Sequence, residues 1–146
     1  MIKSIRHTGL VVSNLDLPLK FWTEIMNFKI LKIDEESGEH IDKMIGLNNT
    51  NVTTVKLSAP DNNKLELLYF NSHKDESIWK GEPHSTGFTH IALTVDDING
   101  QIKKIKDSGI LFSTIPQNSI DGSVKVAYVK GPENILIELV EEIRKN

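Results

Sequence analysis

From Ser4 to Ser13 the chain alternates in the manner of a strand, with Ile5, His7, Gly9 and Val11 on one face and Arg6, Thr8, Leu10 and Val12 on the other. The period then changes. Asn14 is a good helix cap, Pro18 is tolerated in a first turn, and Leu15, Leu19, Trp22, Ile25 and Met26 recur at helical spacing over about three turns. Phe28 to Ile33 alternates again as a second strand. Residues 34–50 are polar and irregular and read as a loop inserted between strands, with a short helical turn around Ile41–Ile45. Ile41, Met44 and Ile45 are more apolar than a solvated loop needs; they either cover a pocket or fill the end of the core. Val52 to Ala59 and Lys64 to Phe70 form a hairpin across the Pro60-Asp61-Asn62-Asn63 turn. Residues 71–86 are polar and read as a linker, with Trp79 as a packing anchor.

The second half repeats the order. A strand at 87–95 leads into a helix from Asp97 to about Ser108 that carries Ile98, Ile102 and Ile105 and stops at Gly109. A short strand is expected at Ile110–Thr114, a loop at Pro116–Gly122, a strand at Val124–Lys130, a turn at Gly131-Pro132-Glu133-Asn134, and a last strand at Ile135–Glu141. Placing His7 over His90, an offset of 83 residues, also aligns Leu10 with Leu93, Val12 with Val95 and Asn14 with Asp97. The chain therefore reads as an α+β fold of two βαβββ modules, residues 4–70 and 87–142 joined by 71–86, forming small curved mixed sheets set side by side.

Composition narrows the function classes. A net charge of −3 without a basic block argues against a nucleic-acid partner. No apolar run approaches the ~20 residues needed to span a bilayer, and the N-terminus lacks the apolar core of a signal peptide, so a cytoplasmic chain is expected. The absence of cysteine removes disulfides, thiolate metal sites and cysteine nucleophiles.

The last strand of each module is strongly apolar but holds one carboxylate, Glu66 between Leu65 and Leu67, and Glu138 between Ile137 and Leu139. A carboxylate in such a setting must be neutral, paired or metal-bound. Each first strand supplies one histidine, His7 or His90. If first and last strands are neighbours, each module presents a His/Glu pair. Two imidazoles and two carboxylates could form a six-coordinate divalent-metal site with two places left over. Nickel, zinc, cobalt, manganese and iron all suit this donor set. His40, His73 and His84 fall in loops and read as solvated, and Asp96 and Asp97 read as helix-start residues.

The segments HTGLVVSNLDLPLKFW, LELLYF, FTHIALTVDDI and KVAYVKGPENILIELVE resemble the vicinal oxygen chelate superfamily, which includes glyoxalase I, methylmalonyl-CoA epimerase, the fosfomycin- and bleomycin-resistance proteins and extradiol dioxygenases. Gly131-Pro132-Glu133-Asn134 replaces the aspartate-proline-aspartate-glycine turn usual there. Within the superfamily the His, Glu, His, Glu set is most similar to glyoxalase I (lactoylglutathione lyase). That resemblance implies His7, Glu66, His90 and Glu138 as ligands of one divalent metal and Glu66 or Glu138 as the base. It also implies a metal-stabilised enediolate, glutathione as a possible co-substrate, a small-molecule substrate and a homodimer. Arg6 and Lys125 are of a type to hold glutathione carboxylates, but as single basic residues they read as surface charges. Two alternatives stand beside this reading. One is a methylmalonyl-CoA-epimerase-like or other enzyme of the superfamily acting on a different metabolite. The other is a metal-free, resistance-type binding protein.

Overall fold

A computed structural model describes residues 1–75, 77, 79 and 82–143. The chain divides into two compact units, Met1–Ser77 and Ile78–Asn146. In the first unit, β1 (Thr8–Val11), α1 (Asp16–Lys20), β2 (Lys29–Ser37), α2 (Glu39–Ile45), β3 (Asn51–Ser58) and β4 (Lys64–Phe70) give a sheet of order β1-β4-β3-β2. In the second, β5 (His90–Thr94), α3 (Ile98–Asp107), β6 (Gln117–Asn118), β7 (Val124–Lys130) and β8 (Leu136–Glu142) give β5-β8-β7-β6. Each sheet has one parallel pair, first strand on last, and is otherwise antiparallel. Neither sheet closes, and the βαβββ order expected from the hydrophobic pattern is present in both units.

The repeat extends to the helix starts. Asn14 Oδ1 accepts the Leu17 N–H at 3.2 Å, and Asp97 Oδ1 accepts the Gly100 N–H at 3.0 Å, satisfying amide groups that a helix leaves open. A second acceptor serves α3, because Glu141 Oε2 takes the Ile98 N–H at 2.8 Å. The helices then differ. After Lys20 the first continues as a π-helical turn, Phe21–Ile25, with Met26 N donating to Phe21 O at 3.0 Å. The Thr23 hydroxyl donates to Leu19 O at 2.7 Å, the carbonyl that an α-helix would offer to the Thr23 amide. The turn buries Phe21, Trp22 and Ile25, and Trp22 packs edge-on against Phe21 and Phe28 with centroids 5.3 and 5.1 Å away. In the second unit Ile98, Ile102 and Ile105 of α3 are buried, as are Ala127, Val129, Ile137 and Leu139 of the sheet.

Four expectations are corrected. The 34–50 stretch is not an irregular loop: β2 runs on to Ser37, paired with β3 from Asp34↔Thr54 to Ser37↔Asn51, and α2 follows. Acidic residues hid this strand because β2 is a sheet edge, where charge is tolerated and discourages further pairing. His40 accordingly lies in α2 and not in a loop. Of the three apolar residues there, Ile41 is buried in the core, whereas Met44 and Ile45 are exposed. The strand expected at Ile110–Thr114 is reduced to a single bridge, Ser113↔Val129, and the pairing partner of β7 is β6 instead. Trp79 is 48% exposed and so is not a packing anchor.

Two outcomes follow from these contacts. Trp22→Ala removes the largest fully buried side chain and is expected to cost about 3–5 kcal/mol in denaturant unfolding; a loss below ~1 kcal/mol would contradict its place in the core. In the turn before β7, the Asp121 carboxylate accepts from the Ser119 hydroxyl at 2.6 Å and from the Ser123 amide and hydroxyl at 3.0 and 2.8 Å. These bonds lower its pKa from 3.8 to about 2. A folded pKa below the unfolded one stabilises the turn above the unfolded value, and that contribution is lost as pH falls through the folded value. An NMR titration of the Asp121 carboxyl should therefore show a midpoint near 2, and a midpoint at 3.8 would contradict the three bonds.

Candidate metal-ligating pairs

β1 and β4 run parallel with Gly9 opposite Glu66, and β5 and β8 run parallel with Ala92 opposite Glu138. His7 lies two residues before Gly9, and His90 two before Ala92. In both units the histidine therefore stands diagonally across from the glutamate on one face of the sheet. His7 itself falls one residue ahead of β1, so the expected strand from Ser4 is shorter than the alternation suggested. The two pairs close alike, with His7 Nε2–Glu66 Oε2 at 3.1 Å and His90 Nε2–Glu138 Oε2 at 3.1 Å. Both glutamates are largely covered, 13% and 20% exposed, and both histidines are about a third open to solvent. The residue between is small in both units, Gly9 in the first and Ala92 in the second. A Cβ added at Gly9 would meet only Leu68 Cδ1, at 3.4 Å, so a steric demand on the diagonal arises only with a side chain longer than alanine's.

The antiparallel neighbour of each glutamate breaks the symmetry. Lys56 is the partner of Glu66, its Nζ 3.8 Å from Oε1. Tyr128 is the partner of Glu138; burial first, then the charge of Glu138 and a hydrogen bond to it, raise the phenol pKa above 10.0. The Tyr128 ring meets the His90 ring edge-on at 5.5 Å. His90 Nδ1 is 2.9 Å from Thr89 Oγ1, a pair in which the donor depends on the imidazole tautomer, while in the closed pair Nε2 carries the proton that meets the acceptor-only Glu138 carboxylate. Lys56 and Tyr128 were not singled out from the sequence. The signal was available, since folding each hairpin about its Pro-containing turn sets Lys56 across from Glu66 and Tyr128 across from Glu138.

The structure thus brings His7 to Glu66 and His90 to Glu138. Among the described residues no group of three or more His, Asp or Glu side chains suited to a metal occurs. Each pair by itself offers one nitrogen and one carboxylate, a borderline donor set that fits nickel, zinc, cobalt, iron or manganese.

The model of the glyoxalase/bleomycin resistance protein/dioxygenase superfamily matches residues 4–139. The chain belongs to that superfamily. A probable lactoylglutathione lyase of Synechocystis is 30% identical over 142 residues, covering 95% of each chain. A protein of the same description from Vibrio parahaemolyticus is 29% identical over 138 residues, 94% of this chain and 89% of its own. In three dimensions, a glyoxalase family protein from Bacillus cereus superposes with a TM-score of 0.87 at 23% identity, covering 99% of this chain and 97% of its own. Superfamily membership and the relatives' descriptions support an enzyme of this superfamily. Among the described residues no helix is long and apolar enough to cross a membrane.

The small residue at the diagonal can be tested directly. Ala92 is solvent-exposed, so Ala92→Leu is expected to leave the chain folded, with a loss in unfolding free energy of about 1 kcal/mol from the His90–Glu138 contact. A crystal structure of the variant should nevertheless show His90 Nε2 displaced beyond hydrogen-bonding distance of Glu138; an unchanged contact of 3.1 Å would show that the diagonal needs no clearance.

Proposed function

We propose that the chain is a metal-dependent lyase or isomerase of the glyoxalase type. In this reading His7, Glu66, His90 and Glu138 are the ligands of one divalent cation, and a glutamate moves the proton. The observation that supports it most is the repeated register: the same His/Glu pair, at the same 3.1 Å separation, in two units of one chain. The pair is the same in both units although the cross-strand neighbour of its glutamate is Lys56 in one and Tyr128 in the other, which supports a role shared by the two pairs. When bound, the cation supplies Lewis-acid stabilisation of negative charge developing next to a substrate carbonyl.

The chain's own residues supply the rest. His7 and His90 would offer Nε2 to the cation once it displaces the proton shared with each glutamate, and Thr89 Oγ1 stands beside Nδ1 of His90 to receive a proton there. The two glutamates are largely covered carboxylates, each beside a histidine about a third open to solvent. Glu138 accepts a hydrogen bond from Tyr128, which fixes its orientation, and a carboxylate so placed can take a proton from one carbon and return it to the next. The lactoylglutathione lyase relatives suggest a glutathione hemithioacetal as the substrate. The second reading, a metal-free binding protein, takes each His/Glu contact as a hydrogen-bonded pair complete within its own unit.

Metal analysis of untagged protein separates the two. The enzyme reading predicts roughly one nickel or zinc per chain, lost in His90→Ala. No metal, and no affinity for added nickel or zinc, would overturn it in favour of the binding protein. Metal-loaded protein should also convert the hemithioacetal of methylglyoxal and glutathione, with Glu138→Gln at least about 100-fold slower. Metal bound without turnover would leave the ligands standing and remove that substrate.

A further inference from the structure

The sheet face that carries His7 and Glu66 carries a row of charges leading away from them. Glu66 on β4 is opposite Lys56 on β3, and Lys56 is opposite Lys32 on β2. Directly paired residues of antiparallel strands share a face with Cβ atoms about 4.5–5.5 Å apart, and like charges so placed repel. Each lysine has a different answer to that repulsion. Lys32 turns along its own strand to Asp34, Nζ–Oδ1 2.7 Å, and Glu36 adds to the negative charge around it. Lys56 does not have such a contact among the described residues. Its ammonium stands 3.8 Å from Glu66 Oε1, beyond hydrogen-bonding distance, and its side chain is 45% exposed. In the second unit the corresponding position is Tyr128, which carries no charge at neutral pH. The cation is thus a property of the first unit's pair alone.

Resting on the reading of Glu66 as a metal ligand, we infer that Lys56 receives a carboxylate of the substrate, one separate from the oxygens that meet the metal. Once Glu66 gives its carboxylate to a divalent cation, Lys56 loses most of its counter-charge while remaining one ion-pair length from the ligand atom. An anionic group on a molecule held there restores the balance. One ammonium balances one negative charge, and Lys32 is already compensated by Asp34, so the match is to a monoanionic carboxylate rather than to a dianion such as phosphate. The substrate class is therefore a chelating carbonyl or hydroxycarbonyl compound bearing a carboxylate, and Lys56 is its specificity-determining residue.

Two chelators that differ only at the far end test this. Butyrohydroxamic acid and succinic acid monohydroxamate share the metal-binding group, and the second has a carboxyl in place of the terminal methyl. Calorimetric titration of the nickel-loaded protein should show the carboxylated compound binding about five- to tenfold tighter. Lys56→Met should abolish the preference while leaving butyrohydroxamic acid unaffected, and Lys56→Arg should retain it. Equal affinities in the unsubstituted protein, a preference that survives in Lys56→Met, or an equal loss for both compounds in Lys56→Met would overturn the inference while leaving the metal reading intact. Failure of the unsubstituted protein to take up nickel would overturn both.

Discussion

The chemistry proposed for this chain depends on one backbone interaction, the parallel pairing of the first strand of each unit with its last. Parallel register places Gly9 beside Glu66 and Ala92 beside Glu138, and so sets each histidine diagonally across from a carboxylate. A shift of one residue in either pairing would turn the glutamate to the buried side of the sheet, among Leu65 and Leu67 or Ile137 and Leu139. The register is held from that buried side. Leu10, Leu65 and Leu67 in one unit, and Ile137 and Leu139 in the other, are withdrawn from water and tolerate no such shift. The core thus fixes which polar atoms meet on the open face.

Repetition gives two copies of this arrangement, and divergence makes them unequal. The glutamate of the first unit has an ammonium beside it, and that of the second has a phenol and an edge-on imidazole. Such inequality suits catalysis that moves a proton between neighbouring carbons, because one carboxylate can hold its charge while the other changes protonation. Fold and family leave this open, since a superfamily that spans lyases, resistance proteins and dioxygenases settles its chemistry through residues such as these.

Much of the arrangement was legible in the sequence because both levels of pattern were periodic. The alternation around His7 and His90, the helical spacing of Ile98, Ile102 and Ile105, and the lone glutamate in each last strand all pointed to the structure found. The misses share a physical origin, which is that pattern reports burial and not pairing. The outer half of β2 is acidic because it is an edge, so it looked like a loop. Ile110–Thr114 is apolar, yet it lies beside β7 without a continuous ladder, held by the Thr114 amide to Tyr128 O at 2.8 Å. Lys56 and Tyr128 escaped notice because their meaning comes from cross-strand register, which composition does not carry.

The central claim is that the two matched pairs are ligands. Anomalous diffraction at the nickel edge, from crystals grown with nickel, tests it most directly. The account predicts a peak within about 2.0–2.2 Å of a histidine Nε2 and its partner glutamate oxygen, with the pair's present 3.1 Å contact opened around the ion. Peaks confined to His40, His73 or His84, or none at all with both pairs still closed at 3.1 Å, would contradict it.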